Sequence, residues 1–257
     1  MSSDLFLLGE PSFGRSGGAC PARITHRPNG DNQEPVAGTA GPLFAGIQPG
    51  EYPKVRATAY ERVFTRGEMF FIEGESVHLV LLITAGVVKI SKVRERGAEI
   101  ILRLAVPGEV LGVSALYSTG SHRATAQAFR DCRALCWDAP AFKTLVSRYP
   151  ILQHNMMRIL GERLLDIEER FGEVATDPVA PRVARQLMRL ISTIGRPRGG
   201  AVEVDISREE LAQMTGTTLY TVSRLLSAWK ARGIVDPRRG SVAIYEIQPL
   251  RAISRQM

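Results

Sequence analysis

The sequence predicts an α+β fold, with short strands in its first half, one long helix in the middle, and two short helices followed by paired strands near its end. Three observations support this prediction: glycine-punctuated strand patterns between residues 43 and 140, a regular apolar repeat after residue 150, and two helical patterns that meet at Gly216. A length of 257 residues is enough for two domains of usual size.

The strand patterns follow a short helical segment that starts near Leu43. Short strands with glycine turns are typical of a small β-roll or jelly roll, a fold that encloses an inner cavity. We assign residues 43–140 to this domain. The predicted strands are 61–64, 69–72, 79–84, 87–93, 99–105, 124–128 and 133–138.

A long helical pattern follows Pro150, and its apolar residues recur at alternating intervals of three and four. This heptad spacing, flanked by charged residues, favours a parallel two-fold dimer. The alternative is one apolar face that packs on the chain's own β-roll. We assign residues 141–176 to a dimerisation helix, with a hinge at Asp177 and Pro178. The apolar seam consists of Met157, Leu160, Leu164, Ile167, Phe171 and Val174.

Two short helical patterns, residues 208–215 and 218–232, meet at Gly216, where a side chain would strain the turn. Ser207 and Glu210 form a capping box at the start of the first helix. The pattern is typical of a helix-turn-helix, and an ordinary helical hairpin is the alternative. We assign residues 177–257 to a domain built around it.

The second helix of this motif would lie in the major groove of DNA with its N-terminal residues at the base edges. Arg224 is suited to bidentate contact with guanine. Two strand patterns after Gly233 form a wing, and Arg238 and Arg239 at its tip can reach phosphates. The candidate DNA-contacting residues are Arg208, Thr217, Thr218, Leu219, Tyr220, Thr221, Ser223, Arg224, Arg238 and Arg239.

The positive charge lies in the same part of the chain. Residues 178–257 hold thirteen Arg or Lys and six Asp or Glu, so they carry the whole net charge of +7. We expect a polyanion as the partner of this domain, and the helix-turn-helix makes double-stranded DNA the candidate. The rival is a domain that docks a partner protein.

Residues 208–247 resemble the winged helix-turn-helix of the Crp/Fnr family of bacterial transcription regulators. The motifs R-G-E-M-F-F-I-E-G-E, I-T-A-G-V-V-K-I, V-P-G-E-V-L-G-V-S-A-L and H-R-A-T-A resemble, in the same order, the cyclic nucleotide-binding β-roll of that family. The resemblance implies a sequence-specific regulator that binds a palindromic operator as a homodimer, senses an effector through its β-roll and has RNA polymerase as a partner.

The resemblance also implies where an effector would bind. Relatives that bind cyclic AMP have a glycine, a glutamate for the ribose hydroxyl and an arginine for the phosphate; here Gly112 and Arg123 match, but Val113 replaces the glutamate. Ile167 replaces the hydroxyl residue that those relatives direct to the adenine. Another ligand or none is favoured over a cyclic nucleotide, because an unpaired buried hydroxyl costs about 1–3 kcal/mol. The candidate effector-binding residues are Gly112, Val113, Ser114, Arg123, Ala124 and Thr125.

The three cysteines and four histidines favour no metal centre. We expect no iron–sulfur cluster, because it needs four thiolates and Cys20 is the single cysteine of the N-terminal part. The even spacing of Cys132 and Cys136 places both on one strand face, and we expect them in the core. Each histidine, including His122 beside the candidate effector site, is expected at the surface or at a helix cap. The sequence shows no catalytic constellation, so we do not expect an enzyme.

Residues 1–42 are rich in Gly, Pro, Ser and Asn and predict a disordered tail. The first residues lack the basic cluster and the apolar run of a secretory signal. No apolar run approaches the ~20 residues that span a bilayer. We expect a cytoplasmic protein without membrane contact.

Overall fold

The computed structural model describes residues 41–94 and 97–256, all of which belong to one unit of the chain. They begin with a 3-10 helix (Pro42–Phe44) and helix α1 (Tyr52–Ala57), where the sequence predicted one short helical segment. The predicted tail lies mostly outside the described residues, as do Cys20 and His26. Pro42, its last residue, already belongs to the 3-10 helix, because the buried Leu43 and Phe44 anchor this segment in the core.

The β-roll consists of two four-stranded antiparallel sheets. One sheet has the order β1-β8-β3-β6 and the other the order β2-β7-β4-β5. Every predicted strand is confirmed to within one residue, whereas the two-residue β6 was not predicted; the short helix α2 (Val113–Leu116) follows it. The strands are β1 (Tyr60–Phe64), β2 (Met69–Phe71), β3 (Leu79–Ala85), β4 (Val88–Val93), β5 (Glu99–Ala105), β6 (Val110–Leu111), β7 (Thr125–Ala128) and β8 (Cys132–Asp138).

Apolar side chains from both sheets fill the space between them. The rings of Phe64 on β1 and Phe70 on β2 stack with their centroids 3.7 Å apart. Cys132 and Cys136 of β8 are buried here, as the sequence predicted. Burial raises the pKa of the Cys136 thiol to about 12, so this cysteine is an inert part of the core.

The outer face of the first sheet packs against helices. Helix α3 (Ala139–Arg148) and the first turns of α4 (Pro150–Thr176) cover it. The indole Nε1 of Trp137 donates a hydrogen bond to the hydroxyl of Thr58 (2.9 Å). Asn155 of α4 donates to the carbonyl oxygens of Leu43 (2.8 Å) and Ala45 (2.7 Å), which fixes the start of the long helix on the β-roll.

The C-terminal domain contains four helices and a four-stranded sheet of order β11-β12-β10-β9. The predicted two-stranded wing is confirmed by the antiparallel pair β11–β12, which belongs to this larger sheet. Strand β9 was not predicted; its Arg-Pro-Arg segment pairs with β10 at the sheet edge. Helix α8 was also missed. The elements are α5 (Val179–Ile194), β9 (Arg196–Arg198), β10 (Ala201–Val204), α6 (Arg208–Thr215), α7 (Leu219–Ala231), β11 (Val235–Pro237), β12 (Val242–Ile244) and α8 (Ile247–Ser254).

Two contacts join the β-roll to the C-terminal domain. Helix α6 packs against β5, and Val87 and Leu104 of the β-roll belong to the same apolar cluster as Leu211 of α6. Beside this cluster the guanidinium of Arg130 forms an ion pair with Asp205, at 2.7 Å, just before α6. The β-roll therefore touches the helix-turn-helix directly as well as through the long helix.

The junction between α4 and α5 is held by ion pairs. Glu173, with 6% of its side chain exposed, pairs with Arg185 (3.3 Å) and Arg189 of α5. Arg185 also pairs with Asp177 (2.6 Å). Only Asp177 and Pro178 separate the two helices, so the predicted hinge is a short connection with an ionic clamp beside it.

Candidate nucleic-acid interface

The first helix of the helix-turn-helix begins with the predicted capping box. The Ser207 hydroxyl accepts a hydrogen bond from the Glu210 backbone amide (3.1 Å), and the Glu210 carboxylate accepts one from the Ser207 amide (2.7 Å). Helix α6 spans the predicted residues 208–215 and ends at Gly216, whose φ of 60° is left-handed. A residue with a side chain would be strained there, so glycine sets the turn between α6 and α7.

Helix α7 buries one face and presents the other to solvent. Val222, Leu226 and Trp229 are buried against the rest of the domain. Thr218 caps the helix, because its hydroxyl accepts a hydrogen bond from the Thr221 amide (3.2 Å). Among the predicted DNA-contacting residues, Thr217, Thr221 and Ser223 are half-buried, whereas Arg208, Thr218, Leu219, Tyr220 and Arg224 are exposed.

The two arginines at the wing tip differ in their surroundings. Arg238 pairs with Glu203 (3.2 Å) and Asp236 (3.4 Å), and its hydrogen bond to Asp236 raises its pKa. Arg239 is exposed, and the described residues place no ion pair on it. The structure therefore leaves Arg239, more than Arg238, available to an external anion.

Glu203 lies at the base of the wing, where it binds three side chains, and the sequence did not predict this role. Its carboxylate accepts hydrogen bonds from Arg198 (2.8 Å), Arg238 (3.2 Å) and the Ser241 hydroxyl (3.0 Å). The hydrogen bond from Arg198 and that from Ser241 lower the pKa of Glu203 despite its partial desolvation. A single acidic residue in an apolar strand was the only sequence signal for this role.

The predicted dimer seam lies on the solvent side of α4. Met157, Leu164, Ile167, Phe171 and Val174 are between 53% and 74% exposed, and Leu160 is half-buried. By contrast Leu152 and Met156, at the start of the helix, are buried against the β-roll. The apolar seam is thus not used to cover the β-roll of its own chain.

The candidate effector site surrounds α2. Gly112 caps this helix with a φ of 90°, and a Cβ there would lie 2.7 Å from the carbonyl oxygen of Leu79. The side chain of Val113 is 7% exposed and belongs to the apolar cluster under Trp137. Helix α2 starts at Val113, one residue before Ser114.

The other predicted effector residues are less enclosed. Ser114 and Arg123 are exposed, and Ala124 is half-buried. The Thr125 hydroxyl accepts a hydrogen bond from the amide of Glu73 (3.1 Å). The structure therefore exposes Arg123 at the candidate effector site, whereas the hydroxyl of Thr125 is hydrogen-bonded within the β-roll.

Charged side chains connect the β-roll to α4 near this site. Glu109 accepts hydrogen bonds from Arg103 of β5 and from Arg163 of α4, the latter at 3.2 Å. Arg163 also donates to the carbonyl oxygen of Val110 (3.3 Å). Burial and the neighbouring charge of Arg103 lower the pKa of Arg163, while Glu109 opposes this effect.

His122 corrects the expectation of a surface histidine. It is 5% exposed, and its ring stacks on that of Phe71 with centroids 3.7 Å apart. Burial lowers its pKa; Glu75 opposes this effect and His78 adds to it. The stacking depends on a residue 51 positions away in the chain, so the local sequence could not reveal it.

Residues 41–94 and 97–256 contain neither a metal-binding cluster nor a membrane-spanning helix. No group of three or more His, Cys, Asp or Glu residues in these ranges is arranged to hold a metal ion. The helices of the same ranges are all too short or too polar to cross a bilayer.

Comparison with protein families identifies both parts of the chain. Residues 61–149 match the cyclic nucleotide-binding domain, and residues 181–253 match the Crp-like helix-turn-helix domain. The cyclic AMP receptor protein of Thermus thermophilus is 29% identical over 213 residues, covering 83% of this chain and 96% of the relative. The CRP-like cAMP-activated global transcriptional regulator of Mycobacterium tuberculosis is 27% identical over 215 residues, with the same coverage of 83% and 96%.

Solved structures agree with this fold. The c-di-GMP responsive global regulator CLP of Xanthomonas campestris has a TM-score of 0.69 at 20% identity, covering 77% of this chain and 99% of that one. A CRP/FNR family transcriptional regulator of Thermus thermophilus has a TM-score of 0.65 at 23% identity, covering 77% and 99%. Because both domains match in order and the similar proteins are transcription regulators, this chain belongs to the Crp/Fnr family of DNA-binding transcription regulators.

Proposed function

We propose that the protein regulates transcription as a homodimer that binds a palindromic operator through the α7 helix of each protomer. The observation that carries this proposal is the outer face of α7, where Arg224 is exposed on a helix without acidic residues. Its domain holds thirteen basic and six acidic residues, which suits a polyanion. Two-fold symmetry would set the half-sites about one helical turn, ~34 Å, apart.

The apolar seam on α4 supports the homodimer. Large exposed apolar side chains on one helix face mark an interaction surface. Their heptad spacing suits a second copy of the same helix. Phe171, at 74% exposed, is the residue to test. Replacement of Phe171 by Glu should yield monomers in analytical ultracentrifugation, whereas Val93→Glu, at a 62% exposed position on β4, should not.

We further propose that the β-roll senses something other than cyclic AMP bound as in its relatives, or senses nothing. Two relatives are named for cyclic AMP and one structural neighbour for c-di-GMP. In this chain the side chain at the glutamate position, Val113, points into an apolar cluster and offers no acceptor to a ribose. Arg123 remains available to an anionic ligand.

The resemblance supports RNA polymerase as the protein partner and the cytoplasm as the place of action. We propose no catalytic activity, because the similar proteins are regulators. The rival function is that the C-terminal domain docks a partner protein. If that is so, the protein should not bind DNA, or its affinity for DNA should not depend on salt concentration.

The test is selection of bound sites from random duplex DNA at fixed salt, with and without cyclic AMP. We expect the same palindrome in both selections. Absence of enrichment would favour the protein-docking rival, and enrichment that requires cyclic AMP would refute the proposal for the β-roll. Arg224→Ala should remove the preference at one base pair of each half-site, a discrimination of about 1–3 kcal/mol. The charge-matched control is Arg251→Ala on α8, which should leave base preference unchanged.

A further inference from the structure

Two large apolar side chains stand exposed at the N-terminal end of α7. Leu219 is 50% exposed and Tyr220 is 76% exposed, although the other large apolar residues of this helix are buried or half-buried. Neither side chain belongs to the apolar cluster of the C-terminal domain. The fold of the chain therefore does not account for these two residues.

The hydroxyl groups of Thr218 and Thr221, at this end of the helix, are engaged with each other. The Oγ1 atoms of Thr218 and Thr221 lie 3.0 Å apart and share a hydrogen bond. Thr218 also accepts the bond from the Thr221 amide. Leu219 has neither a donor nor an acceptor in its side chain. Apart from the hydroxyl of Tyr220, what Leu219 and Tyr220 offer to a base edge is thus apolar surface.

Duplex DNA presents one apolar group in its major groove, the C5-methyl of thymine. A cytosine methylated at C5 presents the same group at the same ring position. We infer that DNA is the ligand that contacts Leu219 and Tyr220. Both residues are exposed on the same helix as Arg224, and their domain carries the whole net positive charge of the chain. This step rests on the proposed function.

We propose that Leu219 and Tyr220 are specificity-determining residues that read the methyl group of a 5-methylpyrimidine in each half-site. Tyr220 lies four residues before Arg224, on the same helix face. One helical turn of ~5.4 Å corresponds to about one to two base-pair steps of ~3.4 Å. The methyl group therefore lies about one to two base pairs from the guanine that Arg224 contacts.

The first experiment removes only methyl groups from the selected operator. Uracil replaces each thymine in turn, in both half-sites, which leaves every hydrogen-bonding group in place. Burial of one methyl group predicts a loss of about fourfold in affinity per half-site, or about 15-fold for the symmetric pair, at one or two positions. If uracil is tolerated at every position, the inference is overturned.

A second arm identifies the side chains. Leu219→Ala and Tyr220→Ala should bind the thymine and uracil operators with equal affinity, because the surface that contacts the methyl group is gone. Tyr220→Phe keeps the ring and should keep the discrimination. Val93→Ala changes an exposed apolar residue of the β-roll and should also keep it. Discrimination that survives in both alanine variants would overturn the assignment.

A third arm separates the two sources of the methyl group. Cytosine and 5-methylcytosine are placed in turn at the sensitive position. A gain of about fourfold on methylation shows that the methyl group itself is read, in either base. Equal binding of the two cytosine operators refutes methyl reading. Selection that enriches no sequence refutes the proposed function, and this inference with it; an enriched operator that is indifferent to methyl groups refutes this inference alone.

Discussion

The carboxylate of Glu173, near the end of α4, accepts hydrogen bonds from both terminal nitrogens of Arg189 on α5. One of these contacts, from Nη1 to Oε2, measures 3.0 Å. Burial opposes ionisation of Glu173, but the hydrogen bonds and charges of Arg189 and Arg185 outweigh it and lower the pKa of this carboxyl. The clamp therefore stays formed at neutral pH and is lost only as the pH falls through that lowered pKa.

Glu173→Gln should weaken this clamp. The amide keeps the shape of the side chain but loses its charge, and hydrogen bonds to charged groups contribute about 1.5–3 kcal/mol. We expect the free energy of unfolding to fall by about 2 kcal/mol. Glu169→Gln is the matched control, because Glu169 is 68% exposed and lies 3.8 Å from Arg189. Urea unfolding compares the variants, and equal midpoints would contradict the role of Glu173.

His122 should make the β-roll sensitive to acid. Its lowered pKa means that, just below the ordinary histidine pKa of about 6.5, the unfolded chain binds a proton that the folded chain does not. Stability should therefore decrease as the pH falls from 7 toward 5. His122→Phe keeps an aromatic ring against Phe71 and should flatten this decrease, measured by thermal unfolding across the pH series. His154→Gln, at an exposed position on α4, should leave the decrease unchanged.

Ser207→Ala should destabilise the helix-turn-helix by about 1 kcal/mol, because α6 loses the acceptor for its third amide. Ser207→Asp keeps an acceptor at this position and should retain most of the stability. Chemical unfolding of the two variants gives the comparison. An alanine variant as stable as the parent would show that the capping box contributes nothing measurable.

The wing arginines should differ in DNA binding. Each phosphate contact contributes about 0.9 to the slope of log affinity against log salt. Arg239→Ala should reduce that slope by about 0.9 per protomer, whereas Arg238→Ala should reduce it less, because Glu203 and Asp236 already engage this guanidinium. Titrations at several salt concentrations measure both slopes, and a larger change for Arg238 would contradict this ranking.

Local pattern predicted those elements whose signals are local. The bounds of α6 and the strands of the β-roll follow from capping residues, glycine turns and alternation, and the structure confirms them. Strand β9 was missed because an exposed Arg-Pro-Arg edge has no apolar alternation to reveal it. Helix α8 was missed as well.

The candidate site likewise contains residues that a local pattern predicts and residues that it does not. The outward residues of α7 follow from helical spacing alone, and the structure exposes Arg224 as expected. Glu203 joins Arg238 from 35 residues away, and Glu173 joins Arg189 across the junction of two helices. Such partners become neighbours only when the chain folds, so no local pattern could assign them.

The packing of α6 against β5 has a mechanical consequence. The helix-turn-helix is fastened at two points, by the α4 junction and by the patch that includes Leu104, Leu211 and the Arg130–Asp205 pair. A change in β5 can therefore act on α6 directly, without passing through the long helix. Loss of one attachment would leave the other to hold the helix-turn-helix to the β-roll.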